Sequence, residues 1–241
     1  MDYHYFDQLE STNQYCKLLD PASVEEFTVV CARSQTAGIG QQGNHWDSEP
    51  FRNLTFSIIL KPTFLSAADQ YRLTMAIAVG VARFVEECLS YPLVSIKWPN
   101  DIYINRQKLC GILTTCQVQS SRLTHAICGI GLNVNQTEFP SWVPNPTSLK
   151  LLSDTTFKLD PLLESLLQNL QHYYQLLQTR PADIEQAYLQ RLYQMGQPAD
   201  YEYHGQRLRA TILGINTFGQ LQLHTDDGRS LTCSLKEIKY L

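Results

Sequence analysis

This sequence lacks the compositional marks of several common functional classes. Basic residues are not in excess, since 19 Lys and Arg stand against 23 Asp and Glu, for a formal net charge of -4. Nucleic-acid-binding proteins usually carry an excess of Lys and Arg, so we expect no nucleic-acid partner. No apolar run approaches the roughly 18 residues of a membrane span, and MDYHYFDQLE lacks the basic and apolar regions of a signal peptide. We therefore expect a cytoplasmic protein with no membrane partner.

Cysteine is present but lacks paired spacing. The seven cysteines are scattered and never arranged as CxxC, which argues against a zinc site or a disulfide framework. Most lie in apolar runs, which predicts buried free thiols in a reducing compartment. With 44% apolar and 17% charged residues over 241 positions, the chain has the composition of a soluble globular protein.

Hydrophobic patterning predicts an α+β fold. Apolar runs rich in β-branched residues predict buried strands at residues 27–33, 54–60, 93–98, 102–104, 109–118 and 123–135, and weaker alternation predicts one at 3–8. Apolar residues at helical spacing predict helices at residues 66–89, ending near Tyr91-Pro92, at 160–178, and from Pro181 onward.

Two terminal segments complete this pattern. Ser11 followed by Gln14 is a capping-box arrangement, which predicts a short helix whose apolar face carries Tyr15, Leu18 and Leu19. From about residue 196, short strands alternate with glycine turns and predict a small all-β domain. We therefore divide the chain into a larger domain at 1–195 and a small β domain at 196–241.

A long polar loop separates the predicted strands at 27–33 and 54–60. It contains QTAGIGQQGNHW, whose glycines allow close approach of a ligand and whose successive N–H groups can bind an anion. The letters fit GxGxxG, but no helix follows, which argues against a dinucleotide-binding fold. Taken alone, the loop fits a functional role and a flexible surface connection equally well.

A strand that runs into a tight turn carries further candidate residues. The segment KWPND ends in Asn100 and Asp101, and Lys108 and Gly111 follow in the next hairpin. An aspartate oxygen suits Mg²⁺, a lysine suits a phosphate or carboxylate, and a strand glycine suits close approach of a ligand. The same residue types also fit a solvated proline turn in which Asp101 caps the turn and Lys108 is an exposed charge.

The segment GIGLNVN combines strand glycines with a polar residue in an apolar setting. Gly129 and Gly131 weaken a strand unless something must approach it closely. Asn133 either satisfies backbone groups in the core or faces a ligand. The segment is therefore a third candidate part of a binding site.

Together these segments resemble the biotin–protein ligase family. KWPNDIYINRQKLCGIL resembles its signature, with the lysine and the glycine at the family's spacing, and GIGLNVN and QTAGIGQQGNHW resemble its next strand and its adenylate loop. The early STN and the later PTSL resemble two shorter elements. The resemblance implies a mixed, mostly antiparallel sheet with flanking helices, a catalytic fold like that of class II synthetases and lipoate ligases, followed by a small C-terminal SH3-like β-barrel.

The resemblance also implies an enzyme that uses ATP, biotin and Mg²⁺. Lys108 would be the catalytic residue, in contact with the biotin carboxylate and the α-phosphate. Biotin would be bound by Ser11, Thr12, Asn13, Gln35, Gly38, Gly40, Gly111 and Gly131. ATP and the adenylate would be bound by Gln41, Asn44, Trp46, Asn100, Asp101 and Asn133, of which Asp101 and Asn133 would ligate Mg²⁺. Trp46 and Trp98 could equally be core aromatics, and Ser11 could serve only as a helix cap.

The implied partner is a biotin carboxyl carrier protein domain of a biotin-dependent carboxylase, and the chain itself would be a monomer or a homodimer. One departure from the family pattern concerns the glycine loop, which usually runs G-R-G-R-x-G-R-x-W. Here Ile39, Gln41 and Asn44 stand where arginines are expected. A charge-assisted hydrogen bond contributes about 1.5–3 kcal/mol, against about 1 kcal/mol for a neutral one. We therefore expect weaker retention of the adenylate, with the fold unchanged.

Three other functions are open at this point. The first is a lipoate or octanoate attachment enzyme, whose octanoyl-transfer type would need a nucleophilic cysteine; Cys110 is the nearest to Lys108 in sequence. The second is a biotin or nucleotide sensor with little catalysis, because the loop arginines are missing. The third is a biotin-responsive repressor, but the pattern begins by residue 11, so we expect no N-terminal DNA-binding domain.

Overall fold

A computed structural model describes residues 2–90 and 93–241, together with every side chain in these ranges except that of Gln42. The expected end of the long helix near Tyr91-Pro92 lies outside the described residues. Within them the last helical residue is Leu89, and Ser90 adopts the left-handed conformation that often follows a helix.

The described residues form five α-helices and twelve β-strands. The helices are α1 (Thr12–Leu18), α2 (Gln70–Leu89), α3 (Leu149–Ser153), α4 (Leu159–Thr179) and α5 (Pro181–Arg191). The strands are β1 (Tyr3–Phe6), β2 (Thr28–Ala32), β3 (Leu54–Leu60), β4 (Ser95–Lys97), β5 (Asp101–Ile104), β6 (Gln107–Gln119), β7 (Arg122–Leu132), β8 (Pro198–Tyr203), β9 (Gln206–Ile215), β10 (Leu221–Thr225), β11 (Ser230–Cys233) and β12 (Ile238–Tyr240).

A seven-stranded sheet in the order β1-β2-β3-β7-β6-β5-β4 forms the centre of the larger part. Only β1 and β2 pair in parallel, and the other neighbours are antiparallel, which confirms the expected mixed sheet. Helices α2 and α4 pack together on one face and bury the main hydrophobic core. Helix α1 covers part of the other face, where Cys16 packs with Val30, Ile59 and Ile127. Strands β2 and β3 are buried along their whole length because both faces are covered.

Most of the predicted elements are present, and the differences have local causes. The short helix α1 begins after Ser11, whose Oγ accepts from the N–H of Gln14, but its buried side is formed by Thr12, Asn13 and Cys16, and Leu18 is 84% exposed. The expected apolar face was therefore wrong for Leu18, whereas Tyr15 and Leu19 are partly buried and pack against the cluster around Cys16. The order of polar and apolar residues in a two-turn helix does not determine which side meets the sheet.

The hairpin after KWPND is tighter than the sequence suggested. Its turn consists only of Asn105 and Arg106, both with positive φ (49° and 66°), so Lys108 lies within strand β6 rather than in the turn. Strand β4 is shorter than predicted, and helix α3 was not predicted at all. That helix depends on Ser148, whose Oγ accepts from the N–H of Leu151.

A second, five-stranded antiparallel sheet in the order β11-β10-β9-β8-β12 forms the C-terminal part. Its first strand begins at Pro198, and the division of the chain at residue 196 stays a prediction. The turn between β9 and β10 docks on the larger part, since Trp98 Nε1 donates to the carbonyl of Gly219 at 2.9 Å. A side chain at Gly219 would collide with the ring of Tyr71, so this close contact requires glycine.

All seven cysteines are free, and five of them are buried. Burial raises the pKa of Cys16 to about 12 and that of Cys31 to about 11, so these thiols are protonated and unreactive at neutral pH. No described helix is both long and apolar enough to cross a bilayer.

Candidate active site

One row of residues crosses five strands of the large sheet. Thr55 is paired with Gly131, Gly131 with Gly111, Gly111 with Asp101, and Asp101 with Lys97. Directly paired residues in antiparallel strands point to the same face. The two glycines therefore leave a shallow floor between Thr55 on one side and a carboxylate and an ammonium group on the other.

The indole of Trp46 lies on this glycine floor. A methyl group at Gly111 would come within 2.9 Å of Trp46 Cζ3, and one at Gly131 would overlap the other side of the ring. The backbone N–H of Trp46 donates to the carbonyl of Gly38 at 2.9 Å. Gly38 itself has no room for a side chain, because its Cβ would overlap the carbonyl oxygen of Trp46. Three of the predicted glycines thus serve to seat one aromatic ring.

The predicted polar loop folds back on itself above the sheet. The N–H of Gly40 donates to the carbonyl of Asn44 at 2.6 Å, Ile39 and His45 form an isolated bridge, and Gln41–Gly43 make a 3₁₀ turn between them. These contacts give the loop a defined path without a regular strand or helix. The loop therefore has a defined conformation and covers the glycine floor.

Lys108 lies at the centre of the site. Its Nζ is 2.8 Å from Asp101 Oδ2 and 5.6 Å from the centroid of the Trp46 ring. Both charged side chains are about one-quarter exposed. The backbone of Lys108 is anchored to the segment before α3, since it donates to the carbonyl of Asn145 at 2.7 Å and accepts from the N–H of Thr147 at 2.9 Å. Asp101 therefore orients an ammonium group that stays accessible to a ligand.

The turn between Lys97 and Asp101 is held rigidly. The hydroxyls of Tyr71 and Tyr188 each donate to the carbonyl of Pro99 at 3.0 Å, and the Trp98–Pro99 peptide bond is cis. The amide of Asn100 donates to the carbonyl of Ile112. Asn100 thus shapes the turn and also borders the cavity beside it.

The start of α1 contributes a second polar group. The N–H of Thr12 donates to Gln35 Oε1 at 2.7 Å, and the Thr12 hydroxyl lies 2.9 Å from that of Ser57. Asn13 is 3% exposed, yet neither its oxygen nor its nitrogen has a hydrogen-bond partner among the described residues. A buried amide without partners costs about 1–3 kcal/mol. Because Asn13 also borders a cavity, its amide is a candidate ligand-binding group.

A cavity of about 150 Å³ lies between these groups and the loop. It brings together thirteen of the predicted site residues: Ser11, Thr12, Asn13, Gln35, Gly40, Gln41, Asn44, Trp46, Asn100, Asp101, Lys108, Gly111 and Gly131. Gly38 acts from outside it, through its contact with Trp46, and Asn133 does not border it. Gly129 also borders it; the sequence placed this glycine in a candidate binding segment without assigning it a ligand. A side chain there would meet the amide of Asn13 at 2.9 Å.

A second, larger cavity of about 450 Å³ lies on the other side of Trp46 and Lys108. Its walls are mainly aromatic or proline residues, formed by Trp46, Phe139, Trp142, Val143, Pro144 and Pro146. Asn133 borders it, and donates its Nδ2 to the carbonyl of Thr147 at 2.9 Å while its Oδ1 is buried without a partner in the described chain. Sequence patterning missed this wall because residues 137–146 have no regular periodicity.

The side chains around Lys108 can be tested for whether they could hold the implied Mg²⁺. No cluster of three or more His, Cys, Asp or Glu occurs in the part of the chain that the structure describes. Mg²⁺ in nucleotide sites is usually held by one or two carboxylates together with substrate phosphates, and Asp101 offers one carboxylate. Asp101 and Asn133 border different cavities, on either side of Lys108. The residues present therefore fit Mg²⁺ that arrives with a phosphate ligand.

Replacing Gly131 with alanine tests whether the indole of Trp46 rests on the glycine floor. The added methyl group would overlap the ring, and the ring belongs to a part-exposed loop that yields more easily than strand β7. We expect Trp46 to move outward and its fluorescence emission to shift to longer wavelength. The same substitution in a Trp46→Phe background should give no shift, which assigns the signal to this one of the three tryptophans. Identical spectra for Gly131→Ala and wild type would contradict the packing.

Comparison with known proteins shows the family to which the chain belongs. The profile of the Biotin/lipoate A/B protein ligase family matches residues 5–133, which is more than half of the chain. The chain belongs to this family. Over 138 residues it is 39% identical to the bifunctional ligase/repressor BirA of Bacillus subtilis, an alignment that covers 56% of this chain and 42% of that protein. The chain thus matches about two-fifths of the length of that relative.

A relative of similar length is matched almost throughout. The biotin–[acetyl-CoA-carboxylase] ligase of Paracoccus denitrificans is 28% identical over 228 residues, covering 92% of this chain and 94% of that one. Among solved structures, the biotin protein ligase from Aquifex aeolicus in complex with biotin and ATP superposes with a TM-score of 0.82 at 22% identity, over 100% of this chain and 99% of that chain. This likeness confirms the predicted fold class.

Proposed function

We propose that this protein is a biotin–protein ligase, which joins biotin to ATP as biotinyl-5'-AMP and then transfers biotin to a lysine of a carrier protein. The observation that carries the proposal is the position of Lys108, whose side chain borders two cavities of different chemistry. One cavity has a buried unpaired amide, and the other has aromatic walls. If one ligand occupied both cavities, the bond that joins its two halves would lie beside Lys108. Membership of the family and the ligase names of its relatives support the same function.

The smaller cavity fits the ureido ring of biotin. A ureido group has one carbonyl acceptor and two N–H donors, and the amide of Asn13 offers both complementary kinds of atom. Ser11, Thr12 and Gln35 supply further polar atoms at the same end. The dithiolane ring of lipoate and the alkyl chain of octanoate would leave Asn13 unpaired, so the site selects against both. Cys110 has no accessible surface, and burial raises the pKa of its thiol, which disfavours the octanoyl-transfer alternative.

The larger cavity fits the adenine end of ATP. Its aromatic and proline walls suit a planar base. Because the Nδ2 of Asn133 is engaged by Thr147, its Oδ1 is left to accept from the exocyclic amine of adenine. Trp46 would lie between the base and the biotin chain, and Asn44 borders both cavities. We assign Gln41 and the loop backbone to the phosphate.

In the first step, a biotin carboxylate oxygen attacks the α-phosphorus of ATP, and the bond to the bridging oxygen of pyrophosphate breaks. Lys108 stabilises the negative charge on the reacting carboxylate and α-phosphate, while Asp101 keeps the ammonium group in place. Bound Mg²⁺, held by Asp101 and the phosphates, would neutralise phosphate charge. In the second step, a carrier lysine attacks the mixed anhydride and AMP leaves. Trp46 and the loop exclude water from the anhydride.

The wider context of this activity is also proposed. We infer that the acceptor is a biotin carboxyl carrier protein domain, and that the chain acts in the cytoplasm as a monomer or homodimer without contact to nucleic acid. The seven unpaired cysteines support a reducing compartment.

The decisive experiment is ATP–pyrophosphate exchange by the purified protein. We expect exchange that requires biotin and Mg²⁺ and that lipoate or octanoate does not support. Exchange with lipoate in place of biotin would favour the lipoate ligase alternative. Biotin binding in calorimetry without any exchange would instead favour the sensor alternative.

Restoring a positive charge to the loop should strengthen retention of the adenylate. Gln41 borders the smaller cavity and stands where the family usually has arginine. A charge-assisted hydrogen bond exceeds a neutral one by about 1 kcal/mol, so Gln41→Arg should slow release of biotinyl-5'-AMP by roughly fivefold. The release rate can be measured with labelled ATP in rapid filtration. Gln119→Arg, which adds the same charge at an exposed strand end, is the matched control. Equal release rates for the two variants would show that the loop charge has no role.

A further inference from the structure

Lys97 stands at the outer end of the row that crosses the sheet. In the strand register it lies directly opposite Asp101 on the neighbouring strand, one strand spacing of about 4.8 Å away. Asp101 is therefore flanked by two lysines, with Lys108 ion-paired to it and Lys97 beyond it. The proposed mechanism uses only the first of these.

The ammonium group of Lys97 has no carboxylate partner among the described residues. Its Nζ lies 5.0 Å from the ring centroid of Tyr103 and 4.8 Å from that of Tyr240. Within the described part of the chain it donates one long hydrogen bond, of 3.5 Å, to the Tyr103 hydroxyl. Aromatic faces attract a cation but leave its N–H groups free to bind an anion. Lys97 is half-buried, and the free-energy cost of burying its charge is offset only in part by Asp101, which is already ion-paired with Lys108. An arriving anion would offset that cost.

The rings of Tyr103 and Tyr240, which we call the aromatic cage of Lys97, belong to the two different sheets of the protein. Tyr103 belongs to β5 of the large sheet, and Tyr240 to β12 of the C-terminal sheet. Tyr193 contacts both rings, at centroid distances of 5.9 and 6.0 Å. The C-terminal sheet thus supplies one wall of the setting that holds Lys97 near the active site.

We propose that Lys97 binds the β- and γ-phosphates of ATP, and hence the pyrophosphate leaving group, and that Tyr240 of the C-terminal sheet positions it. The proposal rests on the proposed function. When the carboxylate oxygen attacks the α-phosphorus at Lys108, the bond to the bridging oxygen breaks and its electron pair stays with pyrophosphate. Asp101 lies between Lys108, its ion-pair partner, and Lys97, its neighbour across the strands, so the departing charge develops toward this second ammonium group.

The test separates the two half-reactions of the full-length protein. Lys97→Met should raise the KM for pyrophosphate in the exchange reaction at least tenfold, while the KM for biotin changes less than threefold. Transfer from preformed biotinyl-5'-AMP to a biotin carboxyl carrier domain releases no pyrophosphate, so its rate should change less than twofold. Tyr240→Leu should show the same pattern more weakly, and Tyr240→Phe should restore the wild-type values because it keeps the ring.

The matched control is Lys239→Met, on the same strand as Tyr240, where the exposed ammonium group pairs with Glu202 at 2.6 Å. It should leave both half-reactions unchanged. If Lys97→Met slows both half-reactions equally, or leaves the KM for pyrophosphate unchanged, the inference is overturned. Lys97→Arg tests misfolding, since it should retain pyrophosphate binding if charge is the requirement.

A failure of the proposed function would look different, because the wild type would then show no biotin-dependent exchange at all. In that case calorimetry with inorganic pyrophosphate still tests the inference. Binding by the wild type that is lost in Lys97→Met would support the anion site, and equal binding by both would overturn it.

Discussion

Lys108→Ala should lower biotin-dependent ATP–pyrophosphate exchange by about 100- to 1,000-fold, the range typical for removal of one group that stabilises transition-state charge. The reason is geometric. Lys108 is the cation at the junction of the two cavities, and Asp101 holds it there at 2.8 Å. Without the ammonium group, the reacting carboxylate and the α-phosphate repel each other, and Asp101 loses its ion-pair partner and adds to this repulsion.

Two variants make this result interpretable. Lys17→Ala removes an exposed ammonium group at the end of α1 and should leave exchange unchanged. Asp101→Asn keeps the shape of the turn but frees Lys108 and removes the carboxylate offered to Mg²⁺, so it should also reduce exchange. Exchange by Lys108→Ala within threefold of wild type would remove Lys108 from the mechanism. Circular dichroism of each variant establishes that the fold is intact.

The second large effect concerns stability. Glu86 and Arg191 form a buried bidentate ion pair between α2 and α5, with both N–O distances at 3.0 Å and side chains 6% and 7% exposed. Glu86 also accepts from the N–H of Val94 at 3.0 Å and so ties the start of β4 to the helices. Removal of one partner from a buried pair typically costs about 3–5 kcal/mol. We therefore expect Glu86→Ala to lower the free energy of unfolding by about that amount, measured by urea denaturation.

The same pair predicts a pH dependence. Burial raises the pKa of Glu86, but hydrogen bonds from Arg191 and from the N–H of Val94 outweigh it, so the net pKa is lowered in the folded protein. A lowered pKa contributes stability that is present above the unfolded value of about 4.3 and is lost as the pH falls through the folded value. Wild type should therefore lose more stability below about pH 4.3 than Glu86→Gln does.

Matched variants distinguish the ion pair from packing. Glu86→Leu combined with Arg191→Met should recover part of the stability lost in Glu86→Ala, because apolar groups of similar size can replace a buried pair. Asp183→Asn breaks the exposed pair with Arg180 and should leave the urea midpoint close to wild type. A Glu86→Ala protein as stable as wild type would show that the pair contributes no net stability.

The local elements follow from the sequence because their causes lie within a few residues. Residues 54–60 form a buried strand as their β-branched and aromatic composition predicts, and Leu163, Leu166 and Leu170 lie buried on one side of α4, as their helical spacing predicts. The KWPND hairpin also appears where expected. Its side chains were assigned roles by resemblance to a family, and those individual roles remain predictions.

Long-range pairing decided what the sequence could not. Residues 34–53 have no periodicity, so nothing in them shows that Trp46 would rest on Gly111 and Gly131, which lie on two later strands. The second cavity has the same origin, since its wall at residues 139–146 is irregular and is held in place by the backbone of Lys108. The cage around Lys97 needs Tyr240 from the last strand. The sequence by itself determined the strands, the main helices and the family, because short-range pattern specifies them. The tertiary structure alone decided which side chains meet, because strand register and the docking of two sheets bring together residues far apart in the chain.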